Sequence, residues 1–154
     1  MNARIKAANL MEKYHTITED EIEVGMTSEF CKEVTQENIE RFAQITGDEN
    51  PLHMDDEFAS QTQFGGRIAH GMYSASLISA VIGMKMPGPG AVYLGQTLNF
   101  KAPVHFGDVL VAQATVAKIV TKAKFKIVEI ETKVTNQNGT IVTDGRATVI
   151  PAKK

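Results

Sequence analysis

A carboxylate and an imidazole stand five residues apart in the segment Thr46-Gly47-Asp48-Glu49-Asn50-Pro51-Leu52-His53. On a continuous helix that spacing would turn Asp48 and His53 about 140° away from each other. The helix cannot continue here, because Gly47 suits a carboxyl-terminal cap and Pro51 cannot extend the hydrogen-bonded run. The break frees the two side chains to converge. A carboxylate and an imidazole meeting at one water molecule suit general base and general acid work, since histidine titrates near neutrality. The spacing alone also allows a plainer reading, in which Asp48 caps a turn and His53 is a satisfied surface or core histidine.

A second segment supplies a different kind of group. Gly65-Gly66-Arg67-Ile68-Ala69-His70-Gly71-Met72 leads into His70–Met84, an apolar stretch that carries no charge. The first amides of a helix lack internal partners and carry a partial positive charge. Gly71 has no side chain to block an approach to its N–H, so a carbonyl placed there would meet a preorganised donor for a developing oxyanion. Removing one such donor costs about 3 kcal/mol in a hydrolase. Close helix–sheet packing would explain Gly71 equally well. Ser79 lies eight residues on, two turns along the same face, where a small-residue helix also uses serine for packing or a backbone bond. His70 reads as a structural hydrogen-bond partner more than as a catalyst.

The remaining reactive residue types form no constellation. His15 and His105 show no supporting partner, and neither metal-ligand spacing nor a glycine-rich phosphate loop occurs, so no metal and no cofactor is expected. Cys31, the single cysteine, excludes an intrachain disulfide and reads as a core residue.

The elements that must position these groups follow from periodicity and breakers. At 154 residues the chain holds one domain. Its 43% apolar and 22% charged content is that of a folded globular protein. A net charge of −2 gives no basic face for nucleic acid. With no long apolar run and no secretory h-region, the expectation is a cytoplasmic protein with no membrane partner. Residues 1–20 read as an appended short helix and linker, and 21–154 as the domain. Glu21–Thr35 has β character interrupted at Gly25. Thr35 is an N-cap for a helix over Gln36–Ile45, and a short helical turn is expected at Asp55–Ser60. His70–Met84, apolar all round, predicts a helix buried on every side, ended by Pro87-Gly88-Pro89-Gly90.

Strands are expected at Val92–Ala102, Val109–Thr121, Lys124–Thr135 and Thr140–Ile150, the last two joined at Asn138-Gly139, with a further turn at Gly107-Asp108. A curved antiparallel sheet wrapped around one apolar helix is the simplest burial solution, an α+β hot-dog arrangement. Its exposed edge calls for a second subunit. Between Glu57 and Asp108 lie fifty residues without a carboxylate. Acid–base chemistry must therefore come from outside the central helix, which disfavours thioesterase arrangements that place a carboxylate on it.

Phe42-Ala43-Gln44-Ile45-Thr46-Gly47-Asp48-Glu49-Asn50-Pro51-Leu52-His53 resembles the signature of the MaoC-like, hydratase-2 family. Three further blocks share the likeness in order: Arg67–Met72, Tyr93–Val104 and Gly107-Asp108. The resemblance spans roughly residues 20–150. It implies a hot-dog homodimer, or a higher homo-oligomer, that reversibly hydrates trans-2-enoyl-CoA to (R)-3-hydroxyacyl-CoA. The (R)-3-hydroxyacyl-ACP dehydratase reaction is the alternative, and a thioesterase or a non-catalytic acyl-binding module is a more remote one. By analogy Asp48 and His53 would activate the water, Gly71 N–H would hold the enolate-like oxygen, and Ser79 would support the site. Asn50, Leu77, Ile78, Ala80 and Val81 would contact the substrate, the last four along an acyl tunnel. The short single-domain form is most similar to bacterial hydratases that feed polyhydroxyalkanoate synthesis.

Overall fold

The computed structural model describes residues 13–154. The expected helix within residues 1–20 falls mostly outside this range, and residues 13–20 contain no helix. Nine elements follow: β1 (Thr27–Glu33), α1 (Gln36–Thr46), α2 (Pro51–Met54), α3 (Asp56–Ser60), α4 (Gly71–Met84), β2 (Val92–Phe100), β3 (Val109–Thr121), β4 (Lys126–Thr135) and β5 (Ile141–Ile150). The five strands form one antiparallel sheet in the order β1-β3-β4-β5-β2, with β1 and β2 at its edges.

The sheet curls over α4, which packs against β1, β3, β4 and β5. Alternation in β4 decides which side is inward: Val128, Ile130, Thr132 and Val134 are buried, while Glu131 and Lys133 face out. On the helix, Leu77, Ile78, Val81 and Ile82 meet that inward face. Burial of each such side chain contributes about 1.5–3 kcal/mol. Ala112, Ala114 and Ala147 on the strands are fully buried and keep the helix close. Ser74 is tied across to β5, its hydroxyl 2.7 Å from that of Thr143. This is the hot-dog arrangement.

Three expectations need adjusting. The first strand is shorter than Glu21–Thr35, because the chain turns at Gly25, whose N–H is held by Val116 O at 2.8 Å. The β4–β5 hairpin closes with a three-residue loop, Gln137-Asn138-Gly139, bridged by Asn136 N–H to Thr140 O and braced by the Asn136 side chain, which accepts from Asn138 and Thr140 N–H. The largest difference concerns α4. Its sheet side is buried, but Met72, Ser76, Ser79 and Gly83 are exposed in the single chain. Their 4-3-4 spacing marks one helix face that the sheet does not reach.

Residues 15–19 run against the carboxyl end of α4. His15 N–H donates to Met84 O, Ile17 N–H to Pro87 O and Glu19 N–H to Ala152 O, at 2.9, 2.7 and 2.9 Å. No helix among the described residues is long and apolar enough to cross a membrane.

Candidate active site

The loop after α1 is built by local chemistry. Thr35 caps α1 by accepting from Asn38 N–H at 3.1 Å, and Ile39 and Ala43 anchor the helix in the core. Gly47 ends it at φ 78°, a left-handed conformation that glycine adopts without strain, and its N–H closes on Ala43 O at 2.8 Å. One oxygen of Asp48 then accepts from Asn50 N–H at 3.2 Å. Asn50 in turn caps α2 by accepting from Leu52 N–H, with Pro51 in the first turn. Asp48 therefore does brace a turn, and it also faces a cavity.

His53 sits on α2 and is buried, its Nδ1 2.8 Å from Ile68 O. A carbonyl can only accept, so Nδ1 carries the hydrogen, and the neutral ring keeps a lone pair on Nε2. Burial pushes the His53 imidazole below the ordinary histidine value, and the neighbouring His70 adds to this. The Ile68 bond and the Asp48 carboxylate oppose it in part. The ring is therefore neutral near pH 7, the form required of a base. Arg67 supports it from behind: its Nε–H donates to His53 O at 2.6 Å and its guanidinium lies 4.9 Å from the centre of the Phe106 ring.

One side-chain donor atom from each of Asp48, His53 and His70 lies within 4.8 Å of the other two. Among the described residues this is the one cluster whose residue types and proximity could hold a cation. Two hollows meet at this point. One, of about 460 Å³, is lined by Asp48, His53, Gly71, Phe64, Met72 and Phe100 among others. The second, of about 610 Å³ and mostly apolar, is lined by Asp48, Met72, Ser76, Ser79, Tyr93 and Leu98 among others. Asp48 and Met72 border both.

Gly71 opens α4 with no side-chain cap at its N-terminus, and it lines the smaller hollow. A Cβ at this position would stand 3.0 Å from the Phe100 ring. Close packing against Phe100 and an exposed position beside the hollow therefore coexist at this glycine.

The family profile described as the MaoC like domain matches residues 6–138. The chain belongs to the MaoC-like family. Among its relatives, the 3-hydroxybutyryl-CoA dehydratase of Methylorubrum extorquens is 44% identical over 135 residues, 88% of this chain and 84% of its own length. The (R)-specific enoyl-CoA hydratase of Rhodospirillum rubrum is 43% identical over 135 residues, covering 87% and 92% of the two chains. The unliganded R-hydratase PhaJ1 from Pseudomonas aeruginosa superposes with a TM-score of 0.85 at 42% identity, over 90% of this chain and 88% of that one.

Within this MaoC-like chain the structure brings Asp48, His53 and Gly71 to one hollow and adds Ser79 through the neighbouring one. The other named residues lie elsewhere. Asn50 is occupied with capping α2. Leu77, Ile78 and Val81 turn toward the sheet and belong to the core. Leu77 and Ala80 border another hollow, with Phe30, Phe42 and Tyr73, which Asp48 does not line. The helix residues that do line the Ser79 hollow are Met72, Ala75 and Ser76. They stand seven, four and three positions before Ser79, so the helical period measured from that serine identifies them. Tyr93 and Gln96 of β2 join them, the phenol donating to the Gln96 amide oxygen. Burial pushes the Tyr93 phenol up to about 12, so it stays protonated as a donor. Cys31 lies half-buried on β1, and burial raises its thiol, the opposite of what a nucleophilic cysteine needs.

Proposed function

We propose that this MaoC-like protein is a hydro-lyase that adds water reversibly to trans-2-enoyl-CoA thioesters, giving (R)-3-hydroxyacyl-CoA. The observation that carries the reading is the Asp48 carboxylate and the His53 imidazole, with donor atoms within 4.8 Å of each other, at the wall of one hollow that Gly71 also lines. The names borne by the relatives support the substrate class and the (R) outcome.

In the hydration direction a water molecule sits between the Asp48 carboxylate and His53 Nε2. The pair draws one proton from it while its oxygen bonds to the β-carbon of the enoyl group. Electrons of the carbon–carbon double bond move onto the thioester oxygen, which the Gly71 N–H stabilises. As that enolate collapses, one member of the pair returns a proton to the α-carbon. Water is thereby added in full, with nothing left over. The apolar hollow along Ser76, Ser79 and Leu98 takes the hydrocarbon tail, and Ser79 supports the site from that side.

We further propose that the working form is a homodimer. Edge strand β2 leaves Val92 and Leu94 exposed beside the uncovered face of α4. A sheet edge next to an apolar helix face is a surface that a second copy would cover. Light scattering should give twice the chain mass, and a monomer would contradict this part.

The deciding assay follows the loss of conjugated-thioester absorbance on trans-2-butenoyl-CoA with purified protein. Hydration is the expected result. Turnover restricted to the carrier-protein thioester would move the substrate to the ACP dehydratase class, and release of free thiol would replace the reading with a thioesterase.

A further inference from the structure

Among the buried titratable side chains that the mechanism above leaves unused, His70 is the one that touches both Asp48 and His53. His70 precedes α4 and is 2% exposed, and it makes two contacts at once. Its Nε2–H donates to the main-chain oxygen of Asp48 at 2.8 Å. Its ring also lies against that of His53, centroids 4.0 Å apart and planes tilted by 34°, with Phe42 on a further side at 5.0 Å. A phenylalanine could stack but not donate, and a glutamine could donate but not stack. The remaining nitrogen, Nδ1, is buried with no hydrogen-bond partner among the described residues. Folding alone gives no reason to keep an unsatisfied polar atom in the interior, where a group of the same shape without it costs less.

We propose that His70 is a positioning residue for the hydration site, fixing the Asp48 main chain with one edge and the His53 ring with its face. The inference rests on the hydratase reading above. It assigns His70 no contact with substrate. Through the Nε2–H bond it fixes where the Asp48 carboxylate emerges after Gly47. Through the stack it fixes the plane of His53 and hence the direction of the free Nε2 lone pair, while Ile68 O holds the opposite edge of that ring. The stack also bears on charge, because two imidazoles this close resist carrying protons together. The charged and titratable groups around His53 are Asp48 from the loop after α1, His70 at the start of α4, Arg67, whose Nε–H holds His53 O, and Lys101 after β2, which lines the same hollow. Asp56 of α3 faces it indirectly, 3.9 Å from Arg67.

Two variants separate the contacts. His70→Phe keeps the stack and removes the donor. His70→Gln keeps a donor and removes the ring. Steady-state kinetics on trans-2-butenoyl-CoA across pH should show His70→Phe losing roughly tenfold or more in kcat, the scale at which orienting partners act, with KM little changed. In His70→Gln the acid limb of kcat/KM should move to higher pH, and NMR titration of the His53 ring should move with it. Wild-type kcat in the first variant together with an unmoved limb and titration in the second would overturn the proposal. If His70→Phe does not fold, the pH profile and titration of His70→Gln decide alone. An inactive wild-type enzyme would sink the hydratase reading instead, a separate outcome visible before any variant is made.

Discussion

The two faces of α4 come from the same fourteen residues and do opposite work. On the sheet side Leu77, Ile78, Val81 and Ile82 are buried against β3, β4 and β5 and hold the fold together. On the other side Met72, Ala75, Ser76 and Ser79 face a hollow that runs to Asp48, and they are small or only loosely packed. The difference shows why an uncharged helix suits this fold. The sheet face demands bulk and no charge, because water is excluded there, whereas the open face demands room. The Asp48 carboxylate is carried by the loop after α1, at the amino end of the helix, where it borders both hollows.

The largest effect that could break this division is on the sheet side. Ile78→Ala should destabilise the protein by about 2–5 kcal/mol, the range for truncating a buried isoleucine, and leave kcat per folded molecule unchanged. Urea unfolding and active-site titration check this, and a kcat loss without a stability loss would merge the two faces. At the amino end of α4 the account is sharpened by pH. His53 must be neutral to act as a base, and burial holds it below the ordinary histidine value. The acid limb of kcat/KM should therefore lie below about 6.5, with activity on its plateau at neutrality. Half-maximal activity above that value would contradict a buried base. On the open face Ser79→Ala should change stability by no more than about 0.5 kcal/mol and lower turnover more than it lowers stability. Equal and small effects on both would make Ser79 mere packing. The smallest effect belongs to neither face: Cys31→Ser on β1 should be nearly silent in activity, and a large loss would overturn its placement outside the chemistry.

How much of this was legible in the sequence depends on whether the signal was local. The site loop was, because Thr35, Gly47 and Pro51 each dictate their own backbone and leave Asp48 and His53 little freedom. The strands β3 and β5 were legible from β-branched alternation almost to the residue. The hidden part was the orientation of α4. A helix apolar on all sides presents no stripe, so its hydropathy cannot say which side meets the sheet. Leu77, Ile78 and Val81 could thus be read as tunnel residues when they are core. Burial on every side was inferred for the same reason, although one sheet covers only one face. His70 was legible as a hydrogen-bond partner, but its acceptor is the main chain of Asp48, twenty-two positions earlier, which no local rule reaches.

The central claim is that Asp48 and His53 act together on one water molecule, and it is tested most directly by turnover of Asp48→Asn and His53→Ala on trans-2-butenoyl-CoA, each with circular dichroism to confirm the fold. Both variants should remain folded and lose about 100-fold or more in kcat, the usual scale for acid–base groups. Wild-type-like turnover in either folded variant would contradict the account.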